Sequence, residues 1–171
     1  MFRLAITTVL VLVFTSLMIS TTSFSQGDQA EMNTLKGLKG IGVGVEDIDA
    51  DAVADGLKKQ DLVKIITQKL KKSGVKVLTE QEVGTIVGQP RLVLNINSTK
   101  QPGPIYIFTA TLDFNQVVVL QRSPGLTAVS PTWTVLTTGG ALPEDLSSSV
   151  QAALDPMLES FIADYKKANP K

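Results

Sequence analysis

The chain has 171 residues, enough for one ordinary domain. Its 16 basic and 16 acidic residues balance, which argues against a nucleic-acid binder held by a basic excess. It contains no Cys and no His. That excludes disulfides, thiolate metal sites, the usual general base at neutral pH and every Ser-His or Cys-His mechanism.

The amino-terminal segment reads as an export signal. Arg3 is the only charge before Asp28, and an apolar run from Leu4 to Ile19 follows it. Small residues end the segment at Ser23-Phe24-Ser25, so residues 1–25 are expected to be a signal peptide cleaved between Ser25 and Gln26. A signal anchor is the competing reading, with a run somewhat short for a spanning helix. A lipid anchor is excluded, because it needs a Cys at the new amino terminus. Residues 26–39 are polar and are expected to form a flexible lead-in to a single domain over 40–171.

The first predicted strand is Ile41, Val43 and Val45 alternating with Gly40, Gly42 and Gly44. A glycine face on a strand implies close approach of another element, and we expect one of the two main helices there. The same glycines do not make a dinucleotide fingerprint, since they lie inside the strand and no acid follows at the ribose distance.

Glu46 to Asp55 holds five acids. Asp47, Asp49 and Asp51 imitate the opening of a calcium loop. Ala52 stands where the loop needs Gly, and Lys58 where it needs a bidentate Glu, so an EF-hand is rejected. The acids read as a solvated loop before a helix amino terminus, with a looser cation site left open. Leu62, Val63, Ile66 and Leu70 then form one helical stripe over about 59–73, closed by Gly74. Its lysines read as a solvated face rather than a membrane patch.

Val75 to Leu78 is a predicted strand, and Thr79-Glu80-Gln81-Glu82 has capping-box spacing for one helical turn. Arg91 to Thr99 alternates with Leu92, Leu94 and Ile96 inward. Ile105 to Arg122 is a long strand with Tyr106, Phe108, Ala110, Leu112 and Phe114 on one face. Leu126 to Thr138 returns, with Pro131 demoting its first half to an edge or bulge. Gly139-Gly140 is expected to end the sheet. Leu146 to Tyr165 is a long amphipathic helix, with a kink expected at Pro156.

The predicted architecture is an α+β domain. Its elements run β-α-β-β-β-β-α, forming a mixed four- to five-stranded sheet with two helices packed on one face. No Gly-x-Ser-x-Gly or Ser-x-x-Lys positions a nucleophile, and Asp113 is the only acid on a predicted core strand, so an Asp/Glu-only hydrolase is a remote reading. No catalytic residue, cofactor or metal ligand is assigned. Arg122 near Trp133 is a candidate recognition pair, and Arg91 a further candidate interaction residue. The competing reading makes both arginines strand-edge guards and puts Trp133 in the core.

Several stretches resemble a family of uncharacterised bacterial exported proteins. They are Gly56-Leu57, Leu70 through Ser73-Gly74-Val75 to Val77-Leu78, Leu92-x-Leu94-Asn95-Ile96-Asn97, Gln121-Arg122, Thr132-Trp133, and Phe161-x-x-Asp164-Tyr165 with Asn169-Pro170. The element order is similar to the amino-terminal domain of the Tol-system translocation protein and to curli-assembly and penicillin-binding-protein-activating lipoproteins. That resemblance implies an envelope module working through protein contacts, and fold analogy alone does not establish function. The expectation is an exported, periplasmic or secreted, non-catalytic protein whose partner is another envelope or secreted protein. Membrane contact is expected only if the signal stays uncleaved. The alternative is a binder of a small apolar or lipid ligand between the sheet and the Pro156 helix.

Overall fold

The computed structural model describes residues 29–103 and 105–170. The expected signal segment and its Ser25–Gln26 cleavage lie outside them. In chain order the elements are α1 (Gln29–Thr34), β1 (Gly42–Val45), α2 (Ala50–Ala54), α3 (Lys59–Lys72), α4 (Glu80–Thr85), β2 (Arg91–Gln101), β3 (Ile105–Val119), β4 (Thr127–Ala141) and α5 (Leu146–Ala168), with a 3-10 turn at Pro143–Asp145. The fold is α+β with one four-stranded sheet in the order β1-β2-β3-β4.

The sheet is mixed because its connections differ in length. β1 reaches β2 through α2, α3 and α4 and pairs with it in parallel, Val43 beside Leu92 and Val45 beside Leu94. The later strands follow by short turns and pair antiparallel, as such turns require. One face carries the expected alternation. Leu92, Leu94 and Ile96 of β2, Tyr106 to Phe114 of β3, and Trp133 and Val135 of β4 are all buried under the helices. α3 contributes Leu62, Ile66 and Leu70, and α5 contributes Val150, Leu154, Met157, Leu158 and Phe161. Gly74, at φ 83°, closes α3 as anticipated. Val75 N–H donates to Leu70 O and Gly74 N–H to Lys71 O, both at 3.0 Å, a double closure that only a residue at ease with positive φ completes.

The helical layer differs from the expected pair. Residues 29–39 are not a free lead-in. α1 packs beside β4 and α5, Leu35 is fully buried, and Thr34 Oγ1 donates to Thr132 O at 3.2 Å. The acidic stretch forms α2, because Ala52 and Leu57 supply enough apolar surface to seat it on the core. Val75–Leu78 is no strand. It makes a single bridge, Val77 to Ile41, before the capping box turns the chain into α4. That box is complete, with Glu82 N–H donating to Thr79 Oγ1 at 3.3 Å and Thr79 N–H to Glu82 Oε2 at 2.8 Å.

α4 is a further helix outside the expected pair on one face. Ile41, Val43 and Val45 point to the main core, so Gly42 faces the other way. A Cβ on Gly42 would lie 2.7 Å from Val83 Cγ2. The close neighbour of Gly42 is therefore Val83 of α4 on the opposite face, while the main helix α3 meets β1 on its Ile/Val face. Nor does the sheet end at Gly139-Gly140. β4 continues to Ala141, and the ring of Phe108 occupies the space beside Gly139, where a Cβ would come within 2.6 Å of Cζ. α5 carries Pro156 inside it, as expected, and runs on to Ala168.

The contact at Gly42 gives a direct test. Gly42→Ala should destabilise the chain by about 1–3 kcal/mol. Val83→Ala in the same chain should recover part of that loss, seen as a coupling in a urea-denaturation double-mutant cycle.

Candidate functional site

Three polar groupings and one open sheet edge are the places where this fold could act. The first grouping is the corner where the acidic stretch meets the ends of β2 and β3. Tyr106 hydroxyl and Lys100 Nζ both donate to Asp55 Oδ2, at 2.6 and 2.9 Å. Lys100 sits 5.3 Å above the Tyr106 ring. Asp49 Oδ2 accepts from Ser98 N–H at 2.9 Å and Ser98 Oγ at 2.8 Å. A shallow open pocket of about 340 Å³ lies among them.

Three of the carboxylates, Asp47, Asp49 and Asp55, have protein partners. The Tyr106 hydrogen bond, then Lys100, lowers the Asp55 pKa, and the Ser98 backbone N–H, then its hydroxyl, lowers that of Asp49. Asp47 is lowered by its bond to Lys59 at 2.9 Å. Each carboxylate is engaged separately, and among the described residues no group of three acids converges as a cation would need. The corner latches α2 onto the sheet.

The second grouping lies between α3 and α5. Lys69 Nζ bonds Asp155 Oδ1, the Asp155 backbone oxygen at 2.9 Å and Glu159 Oε1 at 3.3 Å. It spans an open groove of about 870 Å³ whose walls include Ile65, Lys72, Ile162 and Lys166. This groove lies between helices and is rimmed by charge. The expected apolar ligand space, between sheet and α5, is occupied by rings. The centroid of Phe161 lies 5.1 Å from that of Trp133 and 5.7 Å from that of Phe114, and Met157 is fully buried beside them.

The third grouping concerns the candidate interaction residues. Arg91 opens β2 and pairs through Nη1 with Glu80 Oε2 at 2.6 Å, tying α4 to the strand. Trp133 is only 1% exposed and donates through Nε1 to Asp164 Oδ2 at 3.1 Å, so it is a core residue. Arg122 is exposed in the turn beyond β3, whereas Trp133 pairs with Phe114 in the covered part of the sheet. The two are not brought together. Asp113 lies on the open face, where its Oδ1 accepts from Thr134 Oγ1 at 2.8 Å.

Sequence reasoning placed an edge near Pro131 but missed its extent. β4 pairs only with β3, and its other side carries no ladder partner among the described residues. α1 reaches that side at Thr132, where the register also shifts between the partners of Phe114 and Asn115. Beyond it Leu136, Thr138 and Gly140 are exposed. Natural edges are blunted by Lys, Pro or bulges. β4 has Pro131 and the bulge in its first half and no charged residue anywhere, so its second half is unguarded. The absence of charge from Ser123 to Pro143 was the available sequence signal.

No family model matches this chain, and no curated protein matches it. A solved structure described as a minor lipoprotein from Acinetobacter baumannii is similar at 11% identity over 74% of this chain and 82% of its own, with a TM-score of 0.26. A superposition that loose bears on neither the Tol-system nor the curli-type resemblance. No helix among the described residues is long and apolar enough to cross a membrane.

Two outcomes follow from these groupings. Asp164→Ala leaves the buried Trp133 N–H without an acceptor and should cost about 1–3 kcal/mol, while Asp164→Asn retains most of the stability; the single tryptophan reports both by fluorescence. Because the Asp55 pKa is lowered on folding, its contribution is present above the ordinary carboxylate range and lost as pH falls through the folded value. The stability difference between wild type and Asp55→Asn should therefore be largest near neutral pH and shrink in acid, as chemical denaturation at a series of pH values would show.

Proposed function

We propose that this chain is a non-catalytic, exported envelope or secreted protein that recruits another protein by adding a strand to the free edge of β4. The observation that carries this reading is the unguarded second half of β4, from Thr134 to Ala141. Strand addition takes its affinity from main-chain hydrogen bonds and its specificity from alternate side chains. Leu136 supplies an exposed apolar side chain at the edge, between the polar Thr134 and Thr138. The export reading rests on the Leu4–Ile19 run and the small residues at Ser23 and Ser25.

The non-catalytic reading rests on the chemistry of the side chains. With no His or Cys, acid–base work would fall to carboxylates, lysines and tyrosines, and Lys100 and Tyr106 are both spent on Asp55. Asp49, Asp55 and Asp164 serve as acceptors that hold elements together, and Asp113 is bonded to Thr134.

A photo-crosslinking residue placed at Thr138, expressed in the native host, tests the reading. One dominant protein adduct is expected, and it should disappear in Leu136→Lys, which guards the edge without touching the core. An adduct pattern unchanged by Leu136→Lys, or no adduct at all, would overturn strand addition at β4.

A further inference from the structure

The end of the sheet bearing the β3–β4 turn has a surface of a different kind. β2 begins at Arg91, opposite Asn115, so the hairpin beyond Asn115 extends past β2. α1 meets its base, where Gln116 Nε2 donates to Thr34 O at 3.3 Å, and the loop after α4 lies beside it further out, where Val117 N–H donates to Gly88 O at 2.8 Å. That bond sets Val87, which is 99% exposed, next to the hairpin. On the hairpin Val117 pairs with Val129 and Val119 with Thr127. By alternation Val117 and Val119 lie on the face opposite Phe114, away from the helical core. Val119, Leu126 and Val129 are all more than half exposed. The result is a patch of branched aliphatic side chains at one extremity of the molecule.

The charge on the hairpin and on the loop beside it is sparse and positive. Between Asp113 and Glu144 the sequence holds a single charged residue, Arg122, in the exposed turn. The loop from Val83 to Pro90 carries none. Lys39 joins Val87, Ile86 and Pro90 in lining a groove of about 340 Å³ beside α4. Neither Arg122 nor Lys39 forms an ion pair with any described residue. The acids of α4 are already engaged, Glu80 with Arg91 and Glu82 with Lys76.

We propose that this extremity docks on an anionic lipid surface, with Val87, Val119, Leu126 and Val129 at the acyl boundary and Arg122 and Lys39 on lipid phosphates. Exposed aliphatic side chains beside unpaired cations are the combination that an anionic bilayer interface rewards. A second copy meeting the same patch would bring Arg122 and Lys39 against their own equivalents. A strand added along β4 would satisfy main-chain groups yet leave Val87 in water. The contact is independent of the amino-terminal apolar run, and it goes beyond strand addition because it uses the turn end of the hairpin rather than the Thr134–Ala141 edge.

The absence of Cys makes the test clean, since one introduced thiol carries one probe. An environment-sensitive fluorophore is attached in the full chain at Val129→Cys, at Val119→Cys or, as a distant reference, at Asn97→Cys. Each is mixed with vesicles of phosphatidylglycerol and phosphatidylcholine, or of phosphatidylcholine alone. Whatever residues 1–28 contribute to vesicle binding is common to every probe position. The expected result is a blue shift and several-fold brighter emission at positions 119 and 129 with the anionic vesicles, and none at 97. Adding Lys39→Glu and Arg122→Glu should weaken that response at least about tenfold. The proposal is overturned if positions 119 and 129 respond no more than 97, or if phosphatidylcholine alone gives the same response. It is also overturned if the shift grows with protein concentration without vesicles, which would identify a second copy as the occupant.

Discussion

The burial of Trp133 beneath α5 is the contact on which the rest of the molecule depends. Its ring meets Phe161 edge-on, its Nε1–H reaches Asp164 Oδ2, and Phe161 stacks in turn toward Phe114 and Tyr165. A buried indole needs both an apolar bed and an acceptor, and α5 supplies them one turn apart. This contact fixes which face of β4 looks inward. With period two, that choice sends every intervening side chain to the other face. Leu136 and Thr138 are exposed as a consequence, and the second half of the β4 edge has no ladder partner among the described residues.

The polar interactions fasten elements rather than build a reaction centre. Asp55 takes both Tyr106 and Lys100, Asp49 takes Ser98, Arg91 takes Glu80, and Lys69 bridges α3 to α5. Most of these groups are at least partly exposed, where a single ion pair contributes little. Their value is positional. The irregular segments 46–58 and 79–90 lack long apolar stripes, and side-chain acceptors hold them where the core alone would not. At the sheet's edge and turn end, main-chain groups and aliphatic side chains remain exposed, with Arg122 and Lys39 beside the latter.

The two surfaces lie along one strand pair. β4 carries an open edge at its later half and an apolar, cation-flanked hairpin at its start. A bulge at the Phe114/Asn115 register shift separates them, and α1 touches the strand there through Thr34 and Thr132. Bulges bend a strand and raise its twist. The register shift therefore marks the boundary between a part of the hairpin bound to the core and a part that leaves it.

Much of the fold was legible in the sequence because local rules fix it. Alternation gave β2, β3 and β4, the apolar stripes gave α3 and α5, Thr79 and Glu82 gave α4, and Gly74 gave the end of α3. The sequence could also exclude thiol and imidazole chemistry outright, since the residues are absent. What it misjudged depended on contacts far apart in the chain. Residues 29–39 look polar, yet Leu35 is buried because α1 lies against β4 and α5. Gly42 announced a close neighbour, but only the register of β1 on β2 turns that glycine toward Val83 on the opposite face. Gly139 looked like a terminus, and the ring of Phe108 makes it part of the strand. Trp133 and Arg122 looked like neighbours on one strand pair, and the pairing with Phe114 put one inside and left the other in the turn. Periodicity determines which residues share a face; which face is covered, which edge is left bare and which cations go unpaired is decided when distant segments meet.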